Sequence, residues 1–242
     1  MAAEAHYREL LAPVYLWMAG GLEAATASGA LDLEGVRSRG GLAVDLGAGF
    51  GMHSIPLARA GFEVIALDSS ALLLEQLAAG ARGLDIRTVV GDLMKFQDYL
   101  PAGRKADLIV CMGDTLTHLP DVSAVSELSR RVAQSLAEDG QFLATFRDFT
   151  RLPGGPGRFI AVRSDTDRIL TCFLEDAGET VTVHDILHRR SGSGWEMKVS
   201  SYSKLKLGAY QVAAEFESAG LRVSVGAGPR GMVRLEAHAH AR

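Results

Sequence analysis

Cysteine, positive charge and long hydrophobic runs are all scarce in this sequence, and each shortage excludes a class of protein. The 242 residues include two cysteines, Cys111 and Cys172, which lie far apart in apolar stretches and are predicted to be reduced core thiols. The formal net charge is -4, so there is no global basic field to attract nucleic acid or an acidic membrane. No stretch reaches the roughly 20 apolar residues of a membrane span. These shortages predict a cytoplasmic protein that binds neither nucleic acid nor membrane.

The chain instead has a regular alternation of short apolar strands and helices. Its 48% of hydrophobic residues suffice to bury an ordinary core. Residues 42–147 read as five strands separated by helices, which predicts a parallel sheet covered by helices on both faces. The third helix is predicted to be capped by Asp121 and to stop at Gly140.

The N-terminal part has a different pattern. Residues 4–28 carry apolar side chains at mixed spacings of three and four, which predicts one or two amphipathic helices. These helices are predicted to break near Pro13 or at the Gly20-Gly21 pair. Glu4 precedes the apolar run, where a secretory signal carries only positive charge, so no export is expected.

The alternation stops at RLPGGPGR, a loop rich in proline and glycine at residues 151–158. Strand-like segments follow, separated by AG and SGSG turns that favour hairpins, and they predict an antiparallel insert of about three strands. The chain is predicted to be a single domain. Its parts are an N-terminal helical cap (1–40), a cofactor-binding core (41–150), the antiparallel β insert (158–205) and a closing helix with two strands (206–236).

The turn GAGFG, directly after the first strand, predicts a nucleotide site. Gly47, Gly49 and Gly51 allow the backbone to approach a ligand and to turn sharply into a helix. Asp68 stands 19 residues after Gly49 at the end of the second strand, where a carboxylate takes the hydroxyls of a ribose. The simpler alternatives are a tight strand-to-helix connection and, at Asp68, a helix cap.

Asp45 decides which nucleoside ligand the turn takes. NAD brings a pyrophosphate to such a turn, where a carboxylate at 4 Å costs about 1 kcal/mol of repulsion in water. The turn also reads G-x-G-x-G instead of G-x-G-x-x-G. A ligand with an ammonium group reverses the sign of the interaction, and S-adenosylmethionine carries one beside its adenosine, without a phosphate. Asp45 therefore predicts S-adenosylmethionine, and an NAD-linked oxidoreductase is the weaker alternative.

The order and spacing of four motifs resemble those of class I S-adenosylmethionine-dependent methyltransferases. The motifs are VDLGAGFG, VIALD, GDLMKF and DLIVCMGDTLTHL. The resemblance implies an α/β fold with a Rossmann-like, seven-stranded, mostly parallel sheet that includes the two closing strands. Within the family, GDTLTHLPD, TFRDF and the insert are similar to glycine N-methyltransferase and related small-molecule N-methyltransferases.

The resemblance also implies which residues bind S-adenosylmethionine. Asp45, Gly47 and Gly49 would hold its methionine part and Asp68 its ribose. Asp92 would hold the adenine, with a plain turn residue as the alternative. The full predicted cofactor set is Asp45, Gly47, Ala48, Gly49, Gly51, His53, Ser54, Asp68, Ser69, Gly91, Asp92, Leu93, Met112 and Gly113, of which the last two line the path to the sulfonium. No metal site is predicted.

Four residues are predicted to act on the methyl acceptor: Asp114, His118, Arg147 and Tyr202. An amine must lose a proton, which a carboxylate, a histidine or a tyrosine can take. Asp114 stands where glycine N-methyltransferase has an asparagine, which favours a cationic or hydroxyl-bearing acceptor over glycine. By resemblance Arg147 holds a substrate carboxylate and Tyr202 reaches the acceptor. A solvated or Asp148-paired Arg147 and a structural His118 are the alternatives.

The predicted function is in-line methylation of a small molecule, an amine or an amino-acid-like acceptor, with S-adenosylhomocysteine as product. An O-methyltransferase of a small metabolite and a non-catalytic cofactor-binding protein of the same fold are alternatives. The fourth motif lacks the prolines of nucleic-acid amino-methyltransferases. The insert is predicted either to pair with a second subunit through its edge strands, giving a homo-oligomer, or to cover the site.

Overall fold

The strands fall into two separate sheets. A computed structural model describes residues 5–36 and 40–239. The strands in these residues are β1 (Gly41–Leu46), β2 (Phe62–Asp68), β3 (Ile86–Val90), β4 (Ala106–Cys111), β5 (Leu136–Phe146), β6 (Phe159–Ser164), β7 (Arg168–Ala177), β8 (Thr180–Ser191), β9 (Gly194–Leu205), β10 (Arg222–Ala227) and β11 (Val233–His238).

The larger sheet has seven strands in the order β10-β11-β5-β4-β1-β2-β3. β1 pairs in parallel with both β2 and β4, so the strand order reverses at β1. β3 and β5 extend the parallel part, whereas β11 pairs antiparallel with β5 and β10 antiparallel with β11. The predicted seven-stranded, mostly parallel sheet is confirmed. The carboxyl ends of β1, β2 and β4 meet at one edge, which is where ligands bind in such sheets.

Helices cover both faces of this sheet. They are α1 (Ala12–Met18), α2 (Leu22–Asp32), α3 (Ser54–Arg59), α4 (Ala71–Gly80), α5 (Val122–Ser135) and α6 (Ala209–Ser218). One face packs on α5 and α6, where the rings of Phe142 and Phe216 stack 4.6 Å apart, and the other packs on α3 and α4. The central strands β1 and β4 are almost wholly buried, as parallel strands covered on both sides must be. None of the described helices is long and apolar enough to cross a membrane.

Helix α5 is shorter than the sequence predicts. Asp121 caps it as predicted, because its Oδ1 accepts a hydrogen bond from the Ala124 amide at 2.9 Å. The predicted stop at Gly140 was wrong, because α5 ends at Ser135. Leu136 already pairs with Ala106 in the register between β4 and β5, so strand pairing ends the helix before the glycine is reached.

The insert is a four-stranded antiparallel sheet in the order β6-β7-β8-β9. The prediction of about three strands is one strand short. β6 is an edge strand whose residues are all exposed. The inner face of the sheet packs on the N-terminal segment, where Leu170 and Leu187 share a buried cluster with Leu10 and Val14. The insert therefore packs on the N-terminal segment.

The N-terminal segment begins with a π-helical turn (Tyr7–Leu11) that runs directly into α1. Pro13 lies in the first turn of α1, where a missing N–H is tolerated, so the predicted break near Pro13 is wrong. The chain breaks instead at Gly20 and Gly21, with φ of 92° and 90°, as predicted.

Neither cysteine is paired, as predicted. Cys111 lies in β4 and Cys172 in β7, and both are buried free thiols. Burial raises the pKa of Cys172 to about 12, so its thiol is uncharged at neutral pH.

Candidate active site

The glycine-rich turn after β1 has a left-handed backbone at each predicted glycine. Gly47, Gly49 and Gly51 have φ of 78°, 54° and 95°. A Cβ at Gly47 would lie 2.6 Å from the Thr115 side chain, so no larger residue fits there. A Cβ at Gly49 would meet Leu73 at 3.9 Å, so φ and not space requires this glycine. The turn therefore presents backbone to the carboxyl end of β1.

Hydrogen bonds tie the turn to the end of β2. The amides of Gly47 and Ala48 donate to the Leu67 carbonyl oxygen at 2.8 and 3.0 Å. The Gly49 amide donates to Asp68 Oδ2 at 2.8 Å. The predicted partners on β1 and β2 are thus brought together, with the Asp68 carboxylate fixing the turn.

Asp68 also holds the start of α4. Its Oδ1 accepts a hydrogen bond from the Ser70 amide at 2.8 Å. Burial raises the pKa of Asp68, and the amides of Ser70, Gly49 and Ser69 oppose this rise. The predicted alternative, a role at the helix start, is therefore present alongside the contact with the glycine turn.

Asp45 lies beneath the turn and is 1% exposed. Its Oδ2 accepts a hydrogen bond from Ser54 Oγ at 2.6 Å, which links the end of β1 to the first residue of α3. Burial raises the pKa of Asp45, and His53 and the Ser54 hydrogen bonds oppose the rise. A buried carboxylate whose charge is disfavoured in this way gains from a neighbouring cation.

His53 is directed toward α2. Its Nε2 lies 3.1 Å from Asp32 Oδ2, and Arg230 donates to both oxygens of Asp32, at 3.2 and 2.6 Å. Burial alone would raise the pKa of Asp32, but the hydrogen bonds from His53 and Arg230 bring it below its ordinary value. The structure therefore places the predicted cofactor residue His53 in an ion-pair network behind the glycine turn.

Asp92 and Leu93 follow β3 beside the end of β2. The Gly91 amide donates to the Asp68 carbonyl oxygen at 3.0 Å. This hydrogen bond brings the segment next to Asp68, the residue predicted to bind the ribose. Asp92 Oδ1 accepts from the Met94 amide at 2.9 Å and so caps the 3₁₀ turn Leu93–Tyr99. The predicted alternative of a turn residue describes this contact, and the adenine role of Asp92 remains a prediction.

Met112 and Gly113 connect β4 to the site. Met112 is buried, and its carbonyl oxygen accepts from Thr115 Oγ1 at 2.9 Å, the same side chain that fills the space above Gly47. The Gly113 amide donates to Thr145 Oγ1 at 2.9 Å. The first and fourth motifs are therefore in direct contact through Thr115.

Asp114 forms a buried ion pair that the sequence analysis did not identify. It has a left-handed backbone, with φ of 83°. Its Oδ2 accepts from Lys204 Nζ, and its Oδ1 accepts from the Arg147 amide at 2.8 Å. The Lys204 ammonium lies 5.9 Å from the centre of the Phe149 ring and 5.7 Å from that of Tyr202. Lys204 therefore balances the negative charge on which the prediction of a cationic acceptor depends.

His118 and Tyr202, two of the predicted acceptor residues, lie side by side. Their rings stack 5.4 Å apart at 13°, and His118 Nε2 lies 3.3 Å from the Tyr7 hydroxyl. Burial lowers the pKa of His118 to about 3, and the Lys204 charge adds to the effect. Burial likewise raises the pKa of Tyr202. At neutral pH both side chains are uncharged.

Arg147 is exposed, and its guanidinium donates to the Arg230 carbonyl oxygen at 3.4 Å. Asp148, the predicted alternative partner, accepts hydrogen bonds from the Thr150 and Ala209 amides at 2.9 and 3.4 Å. The Arg147 backbone contacts Asp114, but its side chain lies outside the buried cluster of His118 and Tyr202.

Tyrosines of the N-terminal segment cover the strand ends. The Tyr15 ring lies 5.7 Å from that of Phe50 in the glycine turn and 6.0 Å from that of Tyr7. Burial raises the pKa of Tyr15 to about 12, and the Asp68 and Asp114 carboxylates add to the rise. Tyr15 therefore lies near the glycine turn and near Tyr7, whose hydroxyl contacts His118.

Sequence reasoning missed Lys204, although a signal for it existed. Lys204 stands two residues after Tyr202 in β9, and residues two apart on a strand share a face. The prediction of Tyr202 therefore implied that Lys204 lay beside it.

The strand order, the glycine turn and the carboxylates at the strand ends define a class I methyltransferase fold. Residues 43–140 match the family model described as a methyltransferase domain. The matched segment includes the glycine turn and the ends of β1, β2 and β4.

A curated relative is similar over part of its length. The chain is 34% identical over 97 residues to glycine/sarcosine N-methyltransferase of Aphanothece halophytica, an alignment that covers 39% of this chain and 33% of that protein. The chain thus matches about a third of the length of this relative.

Solved structures are similar over nearly the whole chain. The CcbJ methyltransferase from Streptomyces caelestis has a TM-score of 0.77 at 21% identity, covering 98% of this chain and 99% of that one. The SAM-bound CalS10, an amino pentose methyltransferase from Micromonospora echinaspora, has a TM-score of 0.71 at 17% identity, covering 88% and 89%. At these identities the likeness shows the fold.

Proposed function

We propose that the protein is an S-adenosylmethionine-dependent methyltransferase that acts on a small-molecule amine. The observation that carries the proposal is the set of carboxylates at the ends of neighbouring strands. Asp45 is the next-to-last residue of β1, Asp68 is the last residue of β2, and Asp92 stands two residues after the end of β3. They surround a glycine turn that lies within the segment matching a methyltransferase domain.

The residues present fit this cofactor. S-adenosylmethionine offers an ammonium group, ribose hydroxyls and an adenine amino group, which are all donors suited to carboxylates. A pyrophosphate would instead meet Asp45 and Asp68, which are already disfavoured as anions by burial. When bound, S-adenosylmethionine supplies an electrophilic methyl group carried on a sulfonium.

Each residue around the turn would bind a different part of the cofactor. Asp45 binds the ammonium group, Asp68 the ribose hydroxyls, and Asp92 with the Leu93 amide the adenine. Met112 and Gly113 line the passage toward the acceptor. The work left to the chain is to hold the acceptor in line with the methyl group and to remove its proton.

The cluster beside β4 supports an amine as acceptor. His118 and Tyr202 are uncharged and stacked, so they form a polar but neutral surface. The charge of Asp114 is balanced by Lys204. With a pKa of about 3, His118 is a poor proton acceptor, and we assign it a hydrogen-bonding role. The names of two similar proteins, glycine/sarcosine N-methyltransferase and amino pentose methyltransferase, support the same class of acceptor.

Calorimetric titration tests the cofactor. We expect micromolar binding of S-adenosylmethionine and none of NAD to the purified protein. Binding of NAD alone would contradict the proposal. The acceptor class is then tested with methyl-labelled cofactor and matched pairs of amine and hydroxyl compounds. Label on the hydroxyl members alone would favour an O-methyltransferase, and binding without transfer to any member would favour a non-catalytic cofactor-binding protein.

We also propose that two copies of the chain associate through the outer face of the insert sheet. An antiparallel sheet with one face on a core normally has a polar outer face. Here Trp195, Met197 and Val199 alternate along β9 and are 43%, 62% and 53% exposed, so one face of the strand is apolar where solvent is expected. Two such faces can stack about 10 Å apart.

Light scattering after size-exclusion chromatography tests this association. We expect a dimer for the wild type and a monomer for Met197→Glu. The control is Lys198→Glu, which changes charge on the opposite face of the same strand. A wild-type monomer at all concentrations would rule out this interface.

A further inference from the structure

A buried histidine at the start of the described chain lies inside the cluster of His118 and Tyr202. His6 is 2% exposed, and its Nε2 lies 3.0 Å from Asp185 Oδ2, across 179 residues of sequence. Its ring centre is 4.3 Å from that of Tyr202, which in turn stacks on His118. His6 and Asp185 were not among the predicted site residues.

One nitrogen of this imidazole has no partner. His6 Nδ1 is buried and makes no hydrogen bond to any part of the chain that the structure describes. Buried polar atoms are paired as a rule, and an exception calls for an explanation. A ligand group that enters the cluster and donates a hydrogen bond to Nδ1 would provide the missing partner.

Asp185 sets which nitrogen is available. Asp185 is 5% exposed in β8, and an ionised carboxylate only accepts hydrogen bonds. Nε2 must therefore carry the proton of the neutral ring and donate it to Asp185. Nδ1 is left with an unshared lone pair, in a ring that lies 4.3 Å from that of Tyr202.

The groups around His6 are less suited to take a proton. Burial keeps Tyr202 protonated and His118 neutral, because it raises the pKa of the first and lowers that of the second to about 3. Tyr7 is also held in its protonated form by burial. Lys204 carries a positive charge and is paired with Asp114.

We propose that His6 Nδ1 accepts the proton that the acceptor amine loses, and that Asp185 positions and stabilises the imidazolium. The inference rests on the proposed function. The N–H bond of the acceptor breaks and its proton moves to Nδ1. The acceptor loses this proton from its ammonium form, so the lone pair of the neutral amine is freed to form the new C–N bond, and the electron pair of the methyl–sulfur bond would stay on sulfur. The resulting imidazolium donates one hydrogen bond to Asp185.

NMR of the histidine side chains tests the tautomer without any acceptor. In ¹⁵N-labelled wild type at pH 7.5 we expect His6 to be protonated at Nε2 alone. Asp185→Asn should remove this preference and give a mixture of tautomers, while the S-adenosylmethionine affinity stays within twofold. A proton on Nδ1 in the wild type would overturn the proposal, because that nitrogen could then accept nothing.

Kinetics test the proton transfer with glucosamine, glycine and sarcosine as the amine probes. His6→Asn keeps a hydrogen-bond acceptor near Nδ1, and His6→Gln keeps a donor toward Asp185, but neither can take a proton. Both variants should lower kcat at least about 100-fold for whichever probe the wild type methylates, with unchanged cofactor affinity. His6→Asn should also melt at a lower temperature, because it leaves the buried Asp185 carboxylate without its hydrogen-bond donor. Wild-type kcat in a folded His6→Asn would overturn the proposal.

The two proposals fail differently. Absence of S-adenosylmethionine binding in the calorimetric titration would contradict the proposed function and leave the tautomer measurement intact. If the cofactor binds but none of the three probes is methylated, the His6 tautomer decides the present inference.

Discussion

The two sides of the candidate site are built in different ways. On the glycine-turn side, the defining contact joins Gly49 to Asp68 over 19 residues and uses a backbone amide. On the acceptor side, the contacts join Asp114 to Lys204 over 90 residues and His6 to Asp185 over 179, and both use side chains at each end. Contacts between a backbone amide and a residue nearby in sequence are recognisable as a sequence motif. Contacts between side chains that are far apart in sequence form no such motif.

Lys204→Met tests how much the ion pair on the acceptor side contributes to the stability of the fold. The change leaves the Asp114 carboxylate buried without its cation, so we expect the free energy of unfolding to fall by about 3–5 kcal/mol. Urea unfolding measures the loss. The double variant Asp114→Asn/Lys204→Met should recover most of it, because no unpaired charge remains. A single variant as stable as the wild type would mean that the pair contributes nothing to the acceptor side.

His118→Gln tests how the buried histidine of the acceptor side makes the stability of the fold depend on pH. The folded-state pKa of about 3 lies below the ordinary value of about 6.5, so the unfolded chain binds a proton that the folded chain does not. The stability is fully present above pH 6.5 and falls as the pH drops from there toward 3, by about 1.4 kcal/mol per pH unit. Urea midpoints between pH 7.5 and about 4.5 should fall less steeply in the variant than in the wild type. Parallel curves would place His118 in solvent.

Asp45→Asn tests the glycine-turn side. We expect S-adenosylmethionine to bind at least tenfold more weakly, about 1.4 kcal/mol, because the charge opposite the ammonium group is removed. The unliganded protein should lose no stability, since burial already disfavours the Asp45 anion. Ser54→Ala is the matched control, which removes a hydrogen bond to Asp45 but keeps the charge. Unchanged affinity in Asp45→Asn would move the ammonium site elsewhere.

Arg147→Ala is expected to have the smallest effect. The side chain is exposed and makes one long hydrogen bond, to the Arg230 carbonyl oxygen, so we expect the KM of the acceptor to rise about three- to tenfold without a change in cofactor affinity. Arg104→Ala, at an exposed pair with Glu63, serves as the control. A loss of cofactor affinity in Arg147→Ala would place this residue on the glycine-turn side.

The same contrast explains what could be predicted from the sequence. The mostly parallel sheet and the placement of the glycine turn and Asp68 at the ends of β1 and β2 follow from local patterns, and both were predicted. The end of α5 was predicted wrongly, because a residue's pairing partner in β4 and not its neighbours decides where the helix stops. His118 and Tyr202 were found through the resemblance. His6, Asp185 and Lys204 were missed, because their partners lie on elements whose contact depends on how the insert folds back.

The long reach between His6 and Asp185 has a consequence for how the chain is made. At about 5–20 residues per second, the ribosome releases Asp185 roughly 9 to 36 s after His6, given their separation of 179 residues. By then the strands that form the glycine-turn side, which end at Val90, have long emerged. During synthesis the strands of the glycine-turn side can therefore pack first. His6 can form its contact with Asp185 only later, when β8 has been made.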